Sequence, residues 1–344
     1  MNTIAPSNQF FIPDHLNASL PPEALGKRRS DIKMLVLNAN NQQTNHFKFN
    51  DLVSLFESGD VLVFNNSRTI PAVLNGSLNH KKVEIRLSRK LSDAKWEALI
   101  LAEDFEDGDI ISFPNRVTAV INKKTESILS TLLFSIKGNQ LLDFIYKNGK
   151  PIRYEYITKP LPLEFYQTVY SSVPGSVEMC SAGRAFTWEM LHQLKSKGVK
   201  LAFLQLHTGL SYYGNDQWPE PNKHPEWYHI PTETAEIINR AHKEKKRVIA
   251  VGTTVVRALE SSISNHKVGS SSGWTTIYIN KHSTIQSVTG LITGFHEPEA
   301  SHLDLLTAFI SEDYLIKSYN EAIDKGYQWH EFGDLNLILH DGNS

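Results

Sequence analysis

The stretch Arg247–Glu260, RVIAVGTTVVRALE, joins an apolar run to Gly252, two threonines and an arginine one helical turn further on. The β-branched character of RVIAV predicts a strand buried on both faces, Gly252 permits a sharp turn, and Thr253 or Thr254 can cap the helix that follows. At the carboxyl edge of a sheet, such a turn offers amides and hydroxyls to a polar or anionic ligand, with Arg257 adding a charge. The alternative is a capped helix whose arginine faces solvent. Val63–Gly76, VFNNSRTIPAVLNG, repeats the arrangement and places Arg68 where a strand should end. A planar fork of donors there suits a carboxylate or phosphate, or simply loop carbonyls.

His207 ends the apolar run of LQLHTG, and His296 follows that of LITGFHEPEASHLDLL with Glu297 and Glu299 close by. Imidazoles titrate near neutrality, so both are candidate proton-transfer groups. The chain holds 14 histidines, so position and not residue type must select between them. In CSAGRAFT, Cys180–Thr187, small residues such as Ser181 and Gly183 would let backbone amides approach a ligand closely; plain connecting loops share that composition. His296 and His302 lie six apart and no H-E-x-x-H occurs, which argues against a metal site. No G-x-G-x-x-G follows a strand and no Walker-type G-x-x-x-x-G-K-[ST] is present, which argues against phosphate chemistry on a glycine-rich loop. Cys180 is the only cysteine, so an internal disulfide and a multi-thiolate zinc site are excluded and a reducing compartment is expected. Nothing around it suggests a stabilised thiolate.

These segments need a scaffold. The 344 residues suffice for two domains. Short β signals dominate the first half (DVLVF, KVEIRL, WEALIL, VTAVI), punctuated by turns at Gly76, Asp107-Gly108-Asp109 and Pro114-Asn115. NQLLDFIYKNG then reads as a short helix stopped by Gly149. A small β domain is therefore expected over residues 74–150. After Pro160 strands and helices alternate: a helix capped by Thr187, the strand VKLAFLQL, a helix near 232–246, the RVIAV strand, a helix to about Ser264, and the strand WTTIYI. That alternation predicts an α/β domain, with a mainly parallel sheet and flanking helices. Because DVLVF also suits this sheet, the β domain is expected as an insertion, leaving 1–73 and 151–344 as one discontinuous domain.

A formal net charge of −2 gives no global argument for a polyanion partner, although Lys27, Arg28, Arg29, Lys81 and Lys82 could form a local basic patch. The N-terminus lacks a basic start followed by an apolar run, and no stretch approaches the ~20 apolar residues that span a bilayer. A cytoplasmic monomer without membrane contact is expected.

In order, LPPEALGKRRSD, GDVLVFNNSRTIPAVLNG, KVEIRL, FYQTVYSSVPGSVEMCSAGRAFT, KHPEWYHI, RVIAVGTTVVRALE, LITGFHEPEASHLDLLTAF and GYQWHEFGDLNLIL resemble the S-adenosylmethionine:tRNA ribosyltransferase-isomerase (QueA) family of queuosine biosynthesis across nearly the whole chain. The resemblance implies an α/β domain with an inserted β-barrel and a reaction without a metal or cofactor. In it the ribosyl part of S-adenosylmethionine moves onto the aminomethyl group of a 7-deazaguanine at the tRNA wobble position. Adenine and methionine leave, and epoxyqueuosine remains. Such chemistry needs a base beside the sulfonium, an acid for the departing adenine and an anion-binding group for the methionine carboxylate. His207 and His296 are the proton-transfer candidates. Arg68 and the Thr253–Arg257 turn, with Thr254, are candidates for carboxylate, ribose or phosphate, and Asp334 in FGD for a hydroxyl or base edge.

The chain departs from the family within its motifs. Ala-Gly-Leu-His-Phe-Thr has become AGRAFT, with Arg184 and Ala185; Asn-Asp-Thr-Arg has become Asn65, Asn66, Ser67 and Arg68; and Gly294 replaces an asparagine. Three readings follow: the family reaction, a related enzyme with another acceptor, or a non-catalytic protein that binds nucleotide or tRNA.

Overall fold

A computed structural model of the chain describes residues 10–340 except 103, 125–126, 215–216, 218, 220–221 and 299–300. β1 (Lys33–Asn38) is apolar and buried along most of its length, and its neighbour β2 (Gln43–Lys48) is largely exposed at one edge of the sheet. β3 (Val61–Asn65) is buried at every position, as the apolar run Val61–Phe64 predicts, and the short β4 (Ser67–Thr69) follows it.

The next six strands are β5 (Val73–Leu78), β6 (Lys81–Lys90), β7 (Lys95–Leu101), β8 (Ile110–Ser112), β9 (Thr118–Asn122) and β10 (Ser130–Phe134). They close into a barrel in the order β10-β7-β6-β5-β8-β9. Alternate residues such as Val83, Ile85 and Leu87 point into its core, where α1 (Gly138–Asn148) adds Leu141, Phe144 and Ile145. Gly149 ends this helix by a route other than the left-handed cap: its φ is −86°, and a Cβ there would lie 2.0 Å from the Pro71 carbonyl oxygen. Close backbone approach is what demands glycine.

β11 (Val173–Ser176) pairs with β4, and α2 (Trp188–Ser196) starts where the Thr187 hydroxyl accepts the Met190 N–H at 3.2 Å. Then come β12 (Lys200–Leu206), β13 (Glu226–Ile230), α3 (Thr232–Lys243), β14 (Val248–Val251) and α4 (Thr253–Glu260). A small hairpin of β15 (Ile263–Ser264) and β16 (Lys267–Val268) leads to β17 (Ser271–Thr275), which stops at Thr275 and does not run through WTTIYI. β18 (Gly290–Gly294), α5 (Ser301–Leu306), α6 (Glu312–Asp324) and β19 (Leu335–Leu339) complete the described chain.

The large sheet runs β17-β13-β12-β3-β14-β18-β19-β1-β2 and is mixed, which corrects the expectation of a mainly parallel sheet. Its centre, β12-β3-β14-β18, is parallel, as is the β1–β19 pair. The other pairs are antiparallel. A parallel neighbour requires a crossover, and β12 reaches β13 without a helix among the described residues, so the chain reverses there. Period-2 alternation gives the sheet two cores. Val61, Val63, Leu204 and Ile230 pack with Ile238, Val255 and Leu259 of α3 and α4 on one face. Leu62, Phe64, Ile249 and Val251 pack with Phe49, Phe186 and Leu191 on the other. Among the described residues no helix is long and apolar enough to cross a membrane.

Candidate active site

The carboxyl ends of β12, β14 and β18 face the barrel across a cavity of about 490 Å³. After β14 the backbone turns at Gly252, whose φ of +99° is a conformation only glycine adopts readily, and α4 begins. Thr253, Thr254 and Arg257 then line the cavity. The Thr254 hydroxyl accepts a bond from the Asn65 side-chain amide at 3.3 Å. Arg257 pairs with Glu226, whose other oxygen accepts the Gly209 N–H at 3.0 Å.

A second wall is built of carboxylates and tyrosines. The Tyr154 hydroxyl donates to Glu178, which also accepts the Ser211 N–H at 2.7 Å, and the Tyr156 hydroxyl donates to Glu331. Burial pushes Glu178 up to about 7 and also raises Glu331. Burial opposes ionisation of Glu297 as well, yet its contact with His330, 2.8 Å away, outweighs this and holds its carboxyl below the usual range. The His330 ring lies flat on Tyr156, with centroids 3.9 Å apart.

His296 lines the same cavity, with Nε2 2.9 Å from the Thr293 hydroxyl and its ring stacked on His302 at 5.0 Å. Burial, then the neighbouring His302, pushes it down to about 3, so it is a neutral imidazole at physiological pH. A neutral base, one carboxyl near neutrality and a helix N-terminus thus share one cavity. It can exchange protons and hold an anion without a redox group.

The model of the queuosine biosynthesis protein family matches residues 6–338. The chain belongs to this family. It is also similar to a solved structure, the S-adenosylmethionine tRNA ribosyltransferase from Thermotoga maritima, at 27% identity and a TM-score of 0.57, covering 96% of this chain and 99% of that one.

In this member of the queuosine biosynthesis family, Ser181, Thr253, Thr254, Arg257 and His296 meet at the cavity, whereas the other candidates lie elsewhere. His207 stands just behind its neighbour Thr208. Its Nδ1 is 2.7 Å from the Ser67 hydroxyl, its ring stacks on Trp227, and burial followed by Lys90 pushes it down to about 4. Arg68 is exposed on β4, outside the cavity wall. Asp334 is buried and accepts the N–H groups of Lys33 at 2.6 Å and Gln328 at 2.7 Å, with burial raising it to about 6. Gly183 is buried behind the wall, where a Cβ would lie 1.8 Å from the Tyr170 hydroxyl. Cys180 lines the cavity as a thiol pushed up to about 12 by burial. Glu299 is outside the described residues.

The family departures also find places. Ala185 is buried in the core with Phe49 and Phe186, away from the cavity wall. Arg184 donates to Glu23 at 2.8 Å and to the Phe165 carbonyl at 2.9 Å, and stacks over Phe332. The Asn66 side-chain Oδ1 accepts from the Gln205 side-chain amide at 2.8 Å. Gly294 lines the cavity, and a Cβ there would meet nothing within 4 Å. Tyr154, Tyr156, Glu178, Glu226 and Glu331 were not among the sequence candidates.

Proposed function

We propose that this protein transfers and isomerises the ribosyl part of S-adenosylmethionine onto 7-aminomethyl-7-deazaguanine in tRNA, forming epoxyqueuosine and releasing adenine and methionine in the cytoplasm. Membership of the queuosine biosynthesis family supports the pathway, and the cavity supports the chemistry. A volume near 490 Å³ is in the range of small-molecule sites. The observation that carries the reading is a neutral His296 sharing that cavity with Glu178, a carboxyl poised near 7.

The sulfonium of the donor acidifies the adjoining carbon, and His296 is the base for that proton. Glu178 in its protonated form supplies the proton to the departing adenine. Thr253, Thr254 and the α4 N-terminus, with Ser181 nearby, receive the methionine carboxylate. Arg257, held by Glu226, fixes that turn. His207 orders Ser67 behind the wall, and exposed Arg68 is available to tRNA phosphate. Asp334 acts through the backbone it holds. S-adenosylmethionine is a substrate here, its methyl group stays in place, and one chain supplies all these groups.

Incubation with S-adenosylmethionine and tRNA carrying the deazaguanine precursor should release adenine and add the epoxycyclopentanediol to the tRNA, read by mass spectrometry. No adenine at saturating substrate defeats the reading. Open space at Gly294 favours one second reading, a larger or different acceptor, for which adenine release would require a nucleic acid other than that tRNA.

A further inference from the structure

The antiparallel extension β12-β13-β17 has two unlike faces. Leu204, Leu206, Tyr228 and Ile230 point into the core beneath α3 and α4. The opposite face carries planar groups in register: Gln205 lies across from His229, Trp227 from Trp274, and His229 from Ser272. His207 stacks on Trp227 with centroids 5.1 Å apart at 21°, and Trp227 on His229 at 6.2 Å and 17°. Trp274 is 47% exposed, and the Arg89 guanidinium lies over its ring at 5.6 Å. The exposed Trp274 thus borders a ladder of near-parallel rings.

Two further features say what covers it. Arg89 and Lys124 share the buried carboxylate of Glu97, so among the described residues two cations meet one anion there. Arg89 also lines the cavity, so the aromatic face and the cavity wall are continuous through this residue. The neighbouring side chains at the surface are His229 and Ser272 and not aliphatic anchors, which suits a face on which bases stack.

We infer that this face of the β12-β13-β17 edge binds unpaired bases of the RNA substrate, with Trp274 as a stacking platform beside the cavity. The inference rests on the proposed tRNA reaction and adds where the loop that carries the target base is held. A base beside the target stacks on the face of Trp274 that Arg89 leaves open. Because stacking reads the ring and not its edge, this contact serves single strands and leaves duplex RNA unrecognised.

The test uses the full chain, a fluorescein-labelled anticodon stem-loop RNA and a fully paired hairpin of equal length, with affinities from fluorescence anisotropy. Trp274→Ala should weaken stem-loop binding roughly tenfold, Trp274→Phe should retain most of it, and the affinity for S-adenosylmethionine by calorimetry should stay unchanged. Equal stem-loop affinity of wild type and Trp274→Ala would overturn the inference, as would equal binding of the paired hairpin. So would a dimer lost on substitution with RNA affinity intact, since the face would then bind a second copy. Adenine release is read separately. Turnover that ignores Trp274 sinks this surface and keeps the reaction, whereas Trp274-dependent RNA binding without adenine sinks the reaction and keeps the surface.

Discussion

The Tyr154 hydroxyl donates to the Glu178 carboxylate at the cavity wall, joining the segment that leaves the barrel to the loop after β11. Burial pushes Glu178 from 4.5 up to about 7, so the folded protein holds a proton there that the unfolded chain releases. The contribution to stability is present below the unfolded value and is lost as the pH rises through the folded one. Stability should therefore fall between about pH 5 and pH 7 by on the order of 3 kcal/mol. In Glu178→Gln, which accepts the same two bonds without a charge, this dependence should vanish. Urea denaturation at pH 5 and pH 8 checks it, and the same slope in both proteins would rule out Glu178 as its source.

His296 gives the opposite kind of expectation. Its imidazole is already neutral above about pH 4, because burial and His302 push it down to about 3. Adenine release should then lack an inflection from this group between pH 5.5 and pH 8, while His296→Ala lowers turnover about 10²–10⁴-fold. Calorimetric affinity for S-adenosylmethionine should change little. A rate that falls steeply as the pH drops from 7 to 6 in wild type, and loses that limb in His296→Ala, would contradict the assignment.

The scaffold was legible in the sequence where burial leaves no choice. VLVF in DVLVF and VIAV in RVIAV are apolar at successive positions, and they lie in the buried strands β3 and β14. The turn chemistry of Gly252 with two threonines was equally visible, since it needs only neighbouring residues. Strand direction was not: β13 and β17 are antiparallel because of how their connections run, which no periodicity records. The cavity was harder still. Glu178 and Tyr154 meet from 24 residues apart, and nothing local marks Glu178 as buried. Asp334 shows the converse, because its acidic motif suggested a ligand contact, whereas its oxygens bind the amide of Lys33, 301 positions away, and that of Gln328.

Gly252 separates backbone strain from crowding. A Cβ there would sit 3.5 Å from the Thr254 hydroxyl and 3.7 Å from Ala182, which is ordinary contact, but the φ of +99° is unfavourable for any L side chain. Gly252→Ala should cost at least about 1–2 kcal/mol and displace the threonines, raising KM for S-adenosylmethionine more than it lowers kcat. Gly294→Ala, in open space and without a positive φ, should leave stability within about 0.5 kcal/mol of wild type. Equal losses in the two variants would show that strain at Gly252 is not the cause.

The replaced histidine at Ala185 allows a sharper comparison. If this chain had merely lost a catalytic group, Ala185→His should restore or raise turnover. The structure argues otherwise, because Ala185 is 4% exposed and packs in the core with Phe49, Phe186 and Met190, and it is absent from the cavity wall. An imidazole there must displace well-packed rings and bury polar nitrogens, costing about 1–3 kcal/mol for the overpacking alone. Its neighbour Arg184 is tied to Glu23 and Phe165, so the loop has little freedom to turn the new side chain toward the cavity. Ala185→His should therefore lower the denaturation midpoint and leave adenine release per folded molecule no faster than wild type. Faster turnover with unchanged stability would mean that the loop can present a histidine to the substrate after all.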